Sequence, residues 1–208
     1  MVKLYYTPTS CGVSSFIAAY FAELNFQCET VDLSTHTTES GVDFYTINPK
    51  GNVPTLVLDD GTVLNENIVC LEYIADVSKE LAPPLGTCER YEFNQLLSYF
   101  ATEIHPTIGL FFSPAAKDET IRSFIKGNFD RKMKYLQEKI LNGKKFVYGD
   151  AFTVADSYIH IILSWTKYLG IELSEYPVAY EYYNNICNLD FVKEAKLRAS
   201  TKPQTILF

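Results

Sequence analysis

The sequence lacks the features of a nucleic-acid-binding or membrane-spanning protein. Its 18 lysines and arginines are outnumbered by 25 acidic residues, which leaves a formal net charge of −7, whereas a duplex-binding protein needs a basic face to displace counterions. The uncharged run of residues 4–22 is interrupted by Pro8 and by hydroxyl side chains, so it predicts neither a signal peptide nor a spanning helix. We therefore expect no nucleic-acid partner and no membrane partner.

Cysteine is also scarce, and its spacing carries no pattern. There are five cysteines, with no CxxC pair and no metal-ligand spacing, so neither a disulfide framework nor a metal site is predicted. An odd, scattered set of thiols is typical of a reducing compartment, and we expect a cytoplasmic protein. The five are Cys11, Cys28, Cys70, Cys88 and Cys187.

The chain does have ample material for a core and an early alternation of strands and helices. Its 208 residues are 47% hydrophobic and 14% aromatic, enough for one large domain or two small ones. Hydrophobic periodicity in the N-terminal part predicts the order βαβαββα, a mixed sheet with helices packed on it. The predicted strands are residues 2–6 and 28–33, the helices are residues 13–24, 40–47 and 66–78, and a hairpin covers residues 54–65.

A proline pair, Pro83-Pro84, ends this pattern, and only helical periodicity follows it. The predicted fold is α/β + all-α. Thr153 and Asp156 form a capping box ahead of an apolar run, so a structural role is predicted for both. The predicted domains are residues 1–80, a linker at residues 81–86 and an all-helical domain at residues 87–208, with helices at residues 90–104, 119–141, 152–169, 178–189 and 191–197.

Residues 48–58 are the most informative stretch of the chain. Pro54 has no N–H and stands at the mouth of a short apolar strand, so Val53 keeps backbone groups free to pair with an extended partner. Glu66 and Asn67 follow at the predicted start of a helix, where a carboxylate and free backbone amides are available. The pattern predicts a strand edge that binds a peptide.

With these elements in order, the chain resembles the cytosolic glutathione transferases, most closely the bacterial-type beta class, over nearly its whole length. The resemblance implies a thioredoxin-like N-terminal domain, an all-helical C-terminal domain and a homodimer that binds one glutathione per subunit, with Pro54 as a cis-proline. The motifs that carry it are KLYYTP at residues 3–8, SC at 10–11, DL at 32–33, TESG at 38–41, NPKGNVP at 48–54, LNEN at 64–67, GD at 149–150 and FTVAD at 152–156.

The resemblance also implies catalytic residues. Cys11 matches a cysteine that touches the glutathione sulfur and can form a mixed disulfide with it. At the start of a helix its pKa would fall from about 8.5, and a small buried packing residue is the alternative. Ser10 and Tyr6 are secondary candidates to donate a hydrogen bond to the bound thiolate, with core packing as the alternative for Tyr6. His105 matches a histidine near the sulfur, and a solvated loop histidine is the alternative.

Glutathione contacts follow from the same resemblance. The Val53 backbone would pair with the cysteinyl peptide, Glu66 would accept the γ-glutamyl amine, and the Asn67 amide would receive the α-carboxylate. His36 stands where a lysine is expected near the glycyl carboxylate, and Asn67 stands where serine or glycine is common. The residues assigned to glutathione binding are Val53, Pro54, Glu66, Asn67, His36 and Glu103.

We therefore predict an enzyme that conjugates reduced glutathione to small hydrophobic electrophiles, with glutathione as co-substrate and no other cofactor. A second activity, thiol–disulfide exchange through Cys11, is predicted, with glutathione as the resolving thiol. The alternative is a weakly catalytic or non-catalytic glutathione- or ligand-binding protein on the same fold. His160 lies in an apolar segment and is predicted to be a satisfied packing residue. The aromatic residues predicted to line the electrophile site are Phe111, Phe112, Trp165 and Tyr168.

Overall fold

A mixed sheet forms the N-terminal part of the chain, as given by a computed structural model that describes residues 1–201 and the backbone of Thr205–Ile206. The strand order is β3-β2-β1-β4-β5. Strand β1 pairs in parallel with β2 and antiparallel with β4, and β4 pairs antiparallel with β5. The elements are β1 (Lys3–Tyr6), α1 (Gly12–Phe21), β2 (Phe26–Asp32), β3 (Thr37–Thr38), β4 (Thr55–Val57), β5 (Val63–Asn65) and α2 (Asn67–Ser78).

Helices make up most of the C-terminal part. Helix α3 runs on through a π-helical turn at Phe100–Ile104 into α4, so His105 lies in a helix. This excludes the alternative of a solvated loop histidine. Such π turns insert one residue per turn and re-aim the side chains that follow, often at functional sites. The remaining bounds are α3 (Cys88–Tyr99), α4 (His105–Gly109), α5 (Glu119–Tyr135), α6 (Val154–Ser164), α7 (Pro177–Cys187) and α8 (Asp190–Ser200).

Two predicted segments differ from the structure. The helix predicted at residues 40–47 is only a short 3-10 turn at Phe44–Thr46, because Gly41 adopts φ +86°, which a right-handed helix does not allow. The all-helical prediction for the second half also missed a short strand, β6 (Thr205–Ile206), which pairs antiparallel with β2. A two-residue strand carries too little periodicity to be visible in the sequence.

Helix α1 is packed on both sides. One side lies on the sheet and the other on α6 and α8, and its residues from Gly12 to Ala19 are all buried. Gly12 allows the closest approach, since a Cβ there would lie 2.9 Å from the Cβ of Tyr6. Ser157 in α6 donates a hydrogen bond to the Ser14 carbonyl at 2.7 Å. Within the described residues, no helix combines the length and apolarity needed to cross a bilayer.

Asp156 anchors the start of α6 and is completely buried. One of its carboxylate oxygens accepts hydrogen bonds from the Thr153 backbone N–H at 2.9 Å and from the Thr153 hydroxyl at 2.7 Å. The other accepts from the Val147 N–H and from the Tyr182 hydroxyl, both at 2.8 Å. The predicted capping box is present, and Asp156 also ties the preceding loop and α7 to α6.

We expect Asp156→Ala to lower the free energy of unfolding by at least about 3 kcal/mol, because it leaves several buried donors without acceptors at roughly 1–3 kcal/mol each. Chemical denaturation measures the difference. Asp150→Ala is the control: Asp150 is exposed in the same loop, so its replacement should change the free energy by less than about 0.5 kcal/mol. Equal effects of the two substitutions would contradict an anchoring role for Asp156.

Candidate functional site

Three segments meet around the Cys11 sulfur: the start of α1, the loop before β4 and the start of α2. Cys11 is the N-cap residue of α1, and its thiol donates to the Val53 carbonyl at 3.6 Å. The Val53-Pro54 peptide bond is cis, as the resemblance implied. Both Val53 and Pro54 are buried, whereas Cys11 stays partly exposed. The sulfur therefore lies beside the Val53 backbone at the start of β4, where an extended peptide was predicted to bind. Strand β4 itself is interior, paired with β1 and β5, so the predicted strand edge is in fact the end of a strand.

Asn48 holds the loop that carries Val53 in place. Its side chain is fully buried, and its amide group donates to the Asn52 carbonyl at 2.9 Å and to the Thr55 hydroxyl at 3.0 Å. Its oxygen accepts from the Lys50 backbone N–H at 3.1 Å. One side chain thus replaces the sheet hydrogen bonds that this irregular backbone cannot make. Asn48 was not predicted as a site residue, although an asparagine ahead of a proline is a known turn signal.

The surface between the Cys11 turn, the Val53 loop and the start of α2 is called the groove below. Glu66 lies at its α2 end. It is the N-cap of α2 with φ 76° and ψ 124°. A positive φ is strained for a residue with a side chain, and such residues cluster at functional sites. Its carboxylate is exposed and forms an ion pair with the ammonium group of Lys50. Lys50 was not predicted as a site residue, and only its place in the NPKGNVP motif could have suggested it.

His36 lies beside this loop rather than free in solvent. Its ring packs against Tyr45 with ring centroids 4.4 Å apart, and its Nδ1 is buried without a hydrogen-bond partner. Gly51, at φ +67°, makes room for this pair, since a Cβ there would lie 2.6 Å from the Tyr45 ring and 2.9 Å from His36 Nδ1. The imidazole is therefore near the Lys50 end of the groove with one nitrogen unpaired.

Asn67 points inward. Its side chain is buried, donates to the Ser14 hydroxyl at 3.1 Å and lies near the Tyr158 hydroxyl, on whose pKa it has a lowering effect. Tyr158 lies 2.7 Å from His105 Nδ1 through its hydroxyl. A polar chain thus runs from α1 through the start of α2 and α6 to His105 in α4, and the side chain at position 67 is part of it. Its backbone N–H belongs to the first turn of α2, where helical N–H groups lack intrahelical partners.

Donor and acceptor roles along this chain follow from the chemistry of each group. The Ser14 hydroxyl donates to the Cys11 carbonyl at 2.7 Å, so an Asn67 amide hydrogen is left to donate to Ser14. The buried Tyr158 hydroxyl lies within hydrogen-bond distance of His105 Nδ1, so we assign its O–H as the donor to that nitrogen. An accepting Nδ1 puts the proton of the neutral imidazole on Nε2. Burial lowers the pKa of His105, so the neutral form with an Nε2–H donor is the one present at neutral pH.

Tyr158 was predicted only as a core residue of its helix. It is 1% exposed, as a core residue should be, and burial together with charge at the Cys11 sulfur raises its pKa. The hydroxyl therefore stays protonated close to the thiol. An apolar helical face with one tyrosine among isoleucines looks like core in the sequence, and nothing in the pattern shows that its hydroxyl meets a histidine 53 positions away.

Burial dominates the chemistry of Cys11. It raises the pKa of the Cys11 thiol to about 12, against the opposing effect of the Cys11 and Gly12 backbone N–H groups at the start of the helix. The predicted fall in the pKa is therefore wrong for the protein without a ligand. At neutral pH Cys11 is a thiol, and a thiol donates a hydrogen bond where a thiolate would only accept one.

Three other predicted residues are not brought to the sulfur. Tyr6 is fully buried, and its hydroxyl donates to the Ala199 carbonyl at 2.8 Å, so it packs in the core. The Ser10 hydroxyl donates to the Thr7 carbonyl at 2.8 Å and so is used inside its own turn. Glu103 pairs with Lys132 at 2.6 Å in a separate groove between α3 and α5. The predicted roles of Tyr6, Ser10 and Glu103 at the sulfur of their own subunit are therefore corrected.

Aromatic side chains cover the C-terminal side of the site. The Trp165 ring lies 5.0 Å from the His105 ring and 6.0 Å from Phe112, measured between centroids. Its indole N–H donates to the Thr9 carbonyl at 3.1 Å and so fixes the indole against the loop before α1. Phe112 is 54% exposed. The described residues contain no group of three or more His, Cys, Asp or Glu side chains placed to hold a metal ion.

The raised pKa of Cys11 predicts its reactivity. Below a pKa of about 12 the thiolate fraction rises about tenfold per pH unit, so alkylation of Cys11 by iodoacetamide should be slow at pH 7 and should still be accelerating at pH 10. Peptide mapping by mass spectrometry resolves Cys11 from the exposed Cys88, which serves as the internal control. A Cys11 rate that levels off below pH 8 would contradict the raised pKa.

Known proteins match this chain in sequence. The glutathione S-transferase N-terminal domain family matches residues 14–77, and the glutathione S-transferase C-terminal domain family matches residues 99–190. Glutathione S-transferase GstA of Escherichia coli O157:H7 is 33% identical over 174 residues, which cover 83% of this chain and 86% of that protein.

Solved structures agree with the sequence matches. A glutathione transferase from Methylococcus capsulatus str. Bath is 39% identical, with a TM-score of 0.91 over 96% of this chain and 98% of that one. A sphingomonad glutathione S-transferase complexed with glutathione is 34% identical, with a TM-score of 0.89 over 96% and 99%. The bacterial beta class enzyme of Sphingomonas chungbukensis is 34% identical, with a TM-score of 0.88 over 95% and 98%. The predicted fold is confirmed, and the chain belongs to the glutathione S-transferase family.

Proposed function

We propose that the protein conjugates reduced glutathione to small hydrophobic electrophiles, with glutathione as co-substrate and no other cofactor. The observation that carries the proposal is the position of the Cys11 thiol at the start of α1, beside the cis Val53-Pro54 bond and with the Cys11 and Gly12 backbone N–H groups at its sulfur. Donors around one point stabilise a thiolate that forms there. A cytoplasmic location, where glutathione is kept reduced, belongs to the same proposal.

The groove supplies a partner for each end of glutathione. The Val53 backbone would pair with the cysteinyl peptide by strand addition. Glu66 would receive the γ-glutamyl amine after exchanging it for the ammonium of Lys50, and the Asn67 backbone N–H at the helix start would receive the α-carboxylate. Support for glutathione as the ligand comes from the similar sphingomonad enzyme, whose structure contains glutathione.

In the conjugation step the glutathione sulfur attacks an electron-poor carbon of the electrophile. The carbon–sulfur bond forms, the bond to a leaving group such as chloride breaks, and the thiol proton passes to solvent. The Cys11 S–H and the His105 Nε2–H would hold the sulfur as thiolate before attack. Neither group has to change protonation state, which suits a pKa near 12 for the first and a lowered pKa for the second.

Thiol–disulfide exchange through Cys11 would be a slower second activity. The Cys11 sulfur attacks the glutathione sulfur of a mixed disulfide, the S–S bond breaks, and the released thiolate takes up a proton. A second glutathione thiolate then attacks the glutathione sulfur on Cys11 and leaves as oxidised glutathione. The first step needs Cys11 as thiolate, and its pKa of about 12 keeps that fraction small at neutral pH. The second step releases Cys11 as a thiolate, which then takes up a proton.

A homodimer is part of the proposal. The groove between α3 and α5 has a volume of about 610 Å³ and is lined by apolar, aromatic and charged side chains, including the Glu103–Lys132 pair. Tyr91 and Tyr135, also on these helices, are 67% and 51% exposed. Tyrosines and paired charges around an apolar centre are typical of subunit interfaces. The second copy of the chain would therefore bind at this surface.

The proposed function predicts different responses of two activities to one substitution. Cys11→Ala should abolish glutathione-dependent disulfide reduction, and should lower kcat for conjugation of 1-chloro-2,4-dinitrobenzene only about tenfold, because the backbone N–H groups and His105 remain. Cys88→Ala is the control, since Cys88 is exposed and far along the chain. Equal loss of both activities would contradict the division of roles. Calorimetric glutathione binding without turnover in the native protein would favour the non-catalytic alternative.

Tyr158→Phe should lower kcat for conjugation about tenfold with little change in the KM for glutathione, because His105 loses the donor that keeps its proton on Nε2. Steady-state kinetics measure the first effect. Nitrogen-15 NMR of the His105 ring should show one tautomer in the native protein and a mixture in the variant.

Tyr148→Phe is the matched control for Tyr158. Its hydroxyl donates to the Glu89 carbonyl at the surface, so its loss should change neither kcat nor the His105 tautomer. An unchanged kcat and an unchanged tautomer in Tyr158→Phe would contradict the positioning role of Tyr158.

A further inference from the structure

A small cavity opens between the loop before α1 and helices α6 and α8. Its volume is about 150 Å³, comparable to an apolar cavity that accepts one benzene ring. Trp165 forms an aromatic wall, and no acidic side chain occurs among its described lining residues or in the sequence of residues 202–208. We call it the Lys196 cavity, and its lining includes Ser10, Trp165, Lys167, Tyr168, Lys196 and Ser200.

Lys196 is held in place from behind by a buried histidine. His160 is fully buried, and its Nε2 lies 3.3 Å from the Lys196 ammonium. An ammonium group only donates, so Nε2 must accept and the ring proton must be on Nδ1, where it has no partner. The prediction of a satisfied packing histidine is therefore wrong. The ring is stacked on Tyr183 at 5.0 Å and 17°, which fixes its orientation.

Among the residues that the structure describes, no acid forms an ion pair with Lys196. Ten ion pairs lie within the described residues, and Lys196 and Lys167 take part in none of them. Burial and the Lys196 charge hold the pKa of His160 down to about 3, so the histidine adds no charge of its own. In a protein of net charge −7, this cavity is a locally positive, partly apolar site.

The cavity adjoins the site around Cys11. Ser10 precedes Cys11 in the chain, and the Trp165 indole extends from the cavity wall to within 5.0 Å of the His105 ring. A flat aromatic molecule lying along Trp165 in the cavity would therefore have Lys196 and the Ser10 turn beside it. Trp165 and Ser10 are the two residues that connect this cavity with the site.

We propose that the Lys196 cavity binds the carboxylate of the electrophile, so that the preferred co-substrates are aromatic carboxylic acids with an electron-poor reacting carbon. The inference rests on the proposed conjugation of glutathione and names the class of its second substrate. Trp165 would stack on the ring, and the ammonium of Lys196 would pair with the carboxylate. Binding energy at the remote acid would align the reacting carbon with the glutathione sulfur.

Binding is tested first, without turnover. Trp165 is the single tryptophan and lines the cavity, so its fluorescence reports occupancy. Benzoate should bind the native protein at least about tenfold more tightly than benzamide, and the difference should shrink as salt is raised. Lys196→Met should remove the preference for benzoate and leave benzamide binding unchanged. Lys193→Met is the control, because Lys193 is exposed one turn earlier in α8 and pairs with Asp190.

Turnover is tested with a matched pair of substrates. For 4-chloro-3-nitrobenzoate, kcat/KM should exceed that for 4-chloro-3-nitrobenzamide, and Lys196→Met should lower the ratio of the two about tenfold. Each reaction forms one carbon–sulfur bond and releases chloride. Lys167 also lines the cavity, and Lys167→Met should lower the ratio less than Lys196→Met does. Because the His160 hydrogen bond is made by Lys196, this second variant still tests the inference if Lys196→Met folds poorly.

The possible outcomes separate the inference from the proposed function. Equal binding of benzoate and benzamide to the native protein overturns the inference, whether or not conjugation occurs. Conjugation of both substrates with a ratio that Lys196→Met leaves unchanged also overturns it, while the proposed function stands. Binding of benzoate that depends on Lys196, without conjugation of either compound or of 1-chloro-2,4-dinitrobenzene, supports the cavity as an acid site and defeats the proposed function.

Discussion

The packing of α1 against α6 is the constraint on which the site depends. Cys11 begins α1, and Tyr158 lies in α6, so the thiol and the hydroxyl that orients His105 meet only because these two helices pack together. The contact is mostly apolar, yet it includes a hydrogen bond in which the Ser157 hydroxyl donates to the Ser14 carbonyl at 2.7 Å. A hydrogen bond buried in an apolar contact fixes the register of the two helices, since a shift would leave both groups unpaired.

The same packing sets the chemistry of the site. By excluding water from the Cys11 sulfur and from the Tyr158 hydroxyl, it raises the pKa of both groups, and it lowers the pKa of His105. Burial thus removes charge from all three, and at neutral pH the free protein offers a thiol, a phenol and a neutral imidazole. A set of neutral donors around a buried point is suited to stabilise a negative charge that arrives with the ligand, because no resident charge has to be displaced.

Much of this architecture could be predicted from the sequence because it depends on local patterns. The strands, the hairpin after Pro54 and the long amphipathic helices follow from periodicity and turn residues. The capping box of Asp156 follows from its spacing to Thr153. Segments without a repeating pattern were the ones missed, such as the two-residue strand β6 and the turn at Phe44–Thr46.

The roles of single side chains could not be predicted in the same way, because they depend on direction and on contacts between distant segments. Tyr5 and Tyr6 alternate across β1, but only the structure shows that the Tyr6 hydroxyl reaches Ala199 in α8. Asn67 looked like a departure from the motif at a ligand contact, and its side chain in fact points away from the groove toward Ser14. The backbone N–H at position 67 and the side chain at position 67 thus serve two different purposes.

Electrostatics connects the two ends of the active site. The protein as a whole is acidic, so an anionic ligand approaches against the net charge unless local positive groups oppose it. Such groups occur at both ends: Lys50 beside Glu66, and Lys196 in front of a neutral His160. Lys50 is compensated by its ion pair with Glu66, whereas Lys196 forms no ion pair among the described residues. In the proposed binding mode, the first lysine would be released when Glu66 accepts the amine of glutathione, and the second would meet a carboxylate without any rearrangement of the protein.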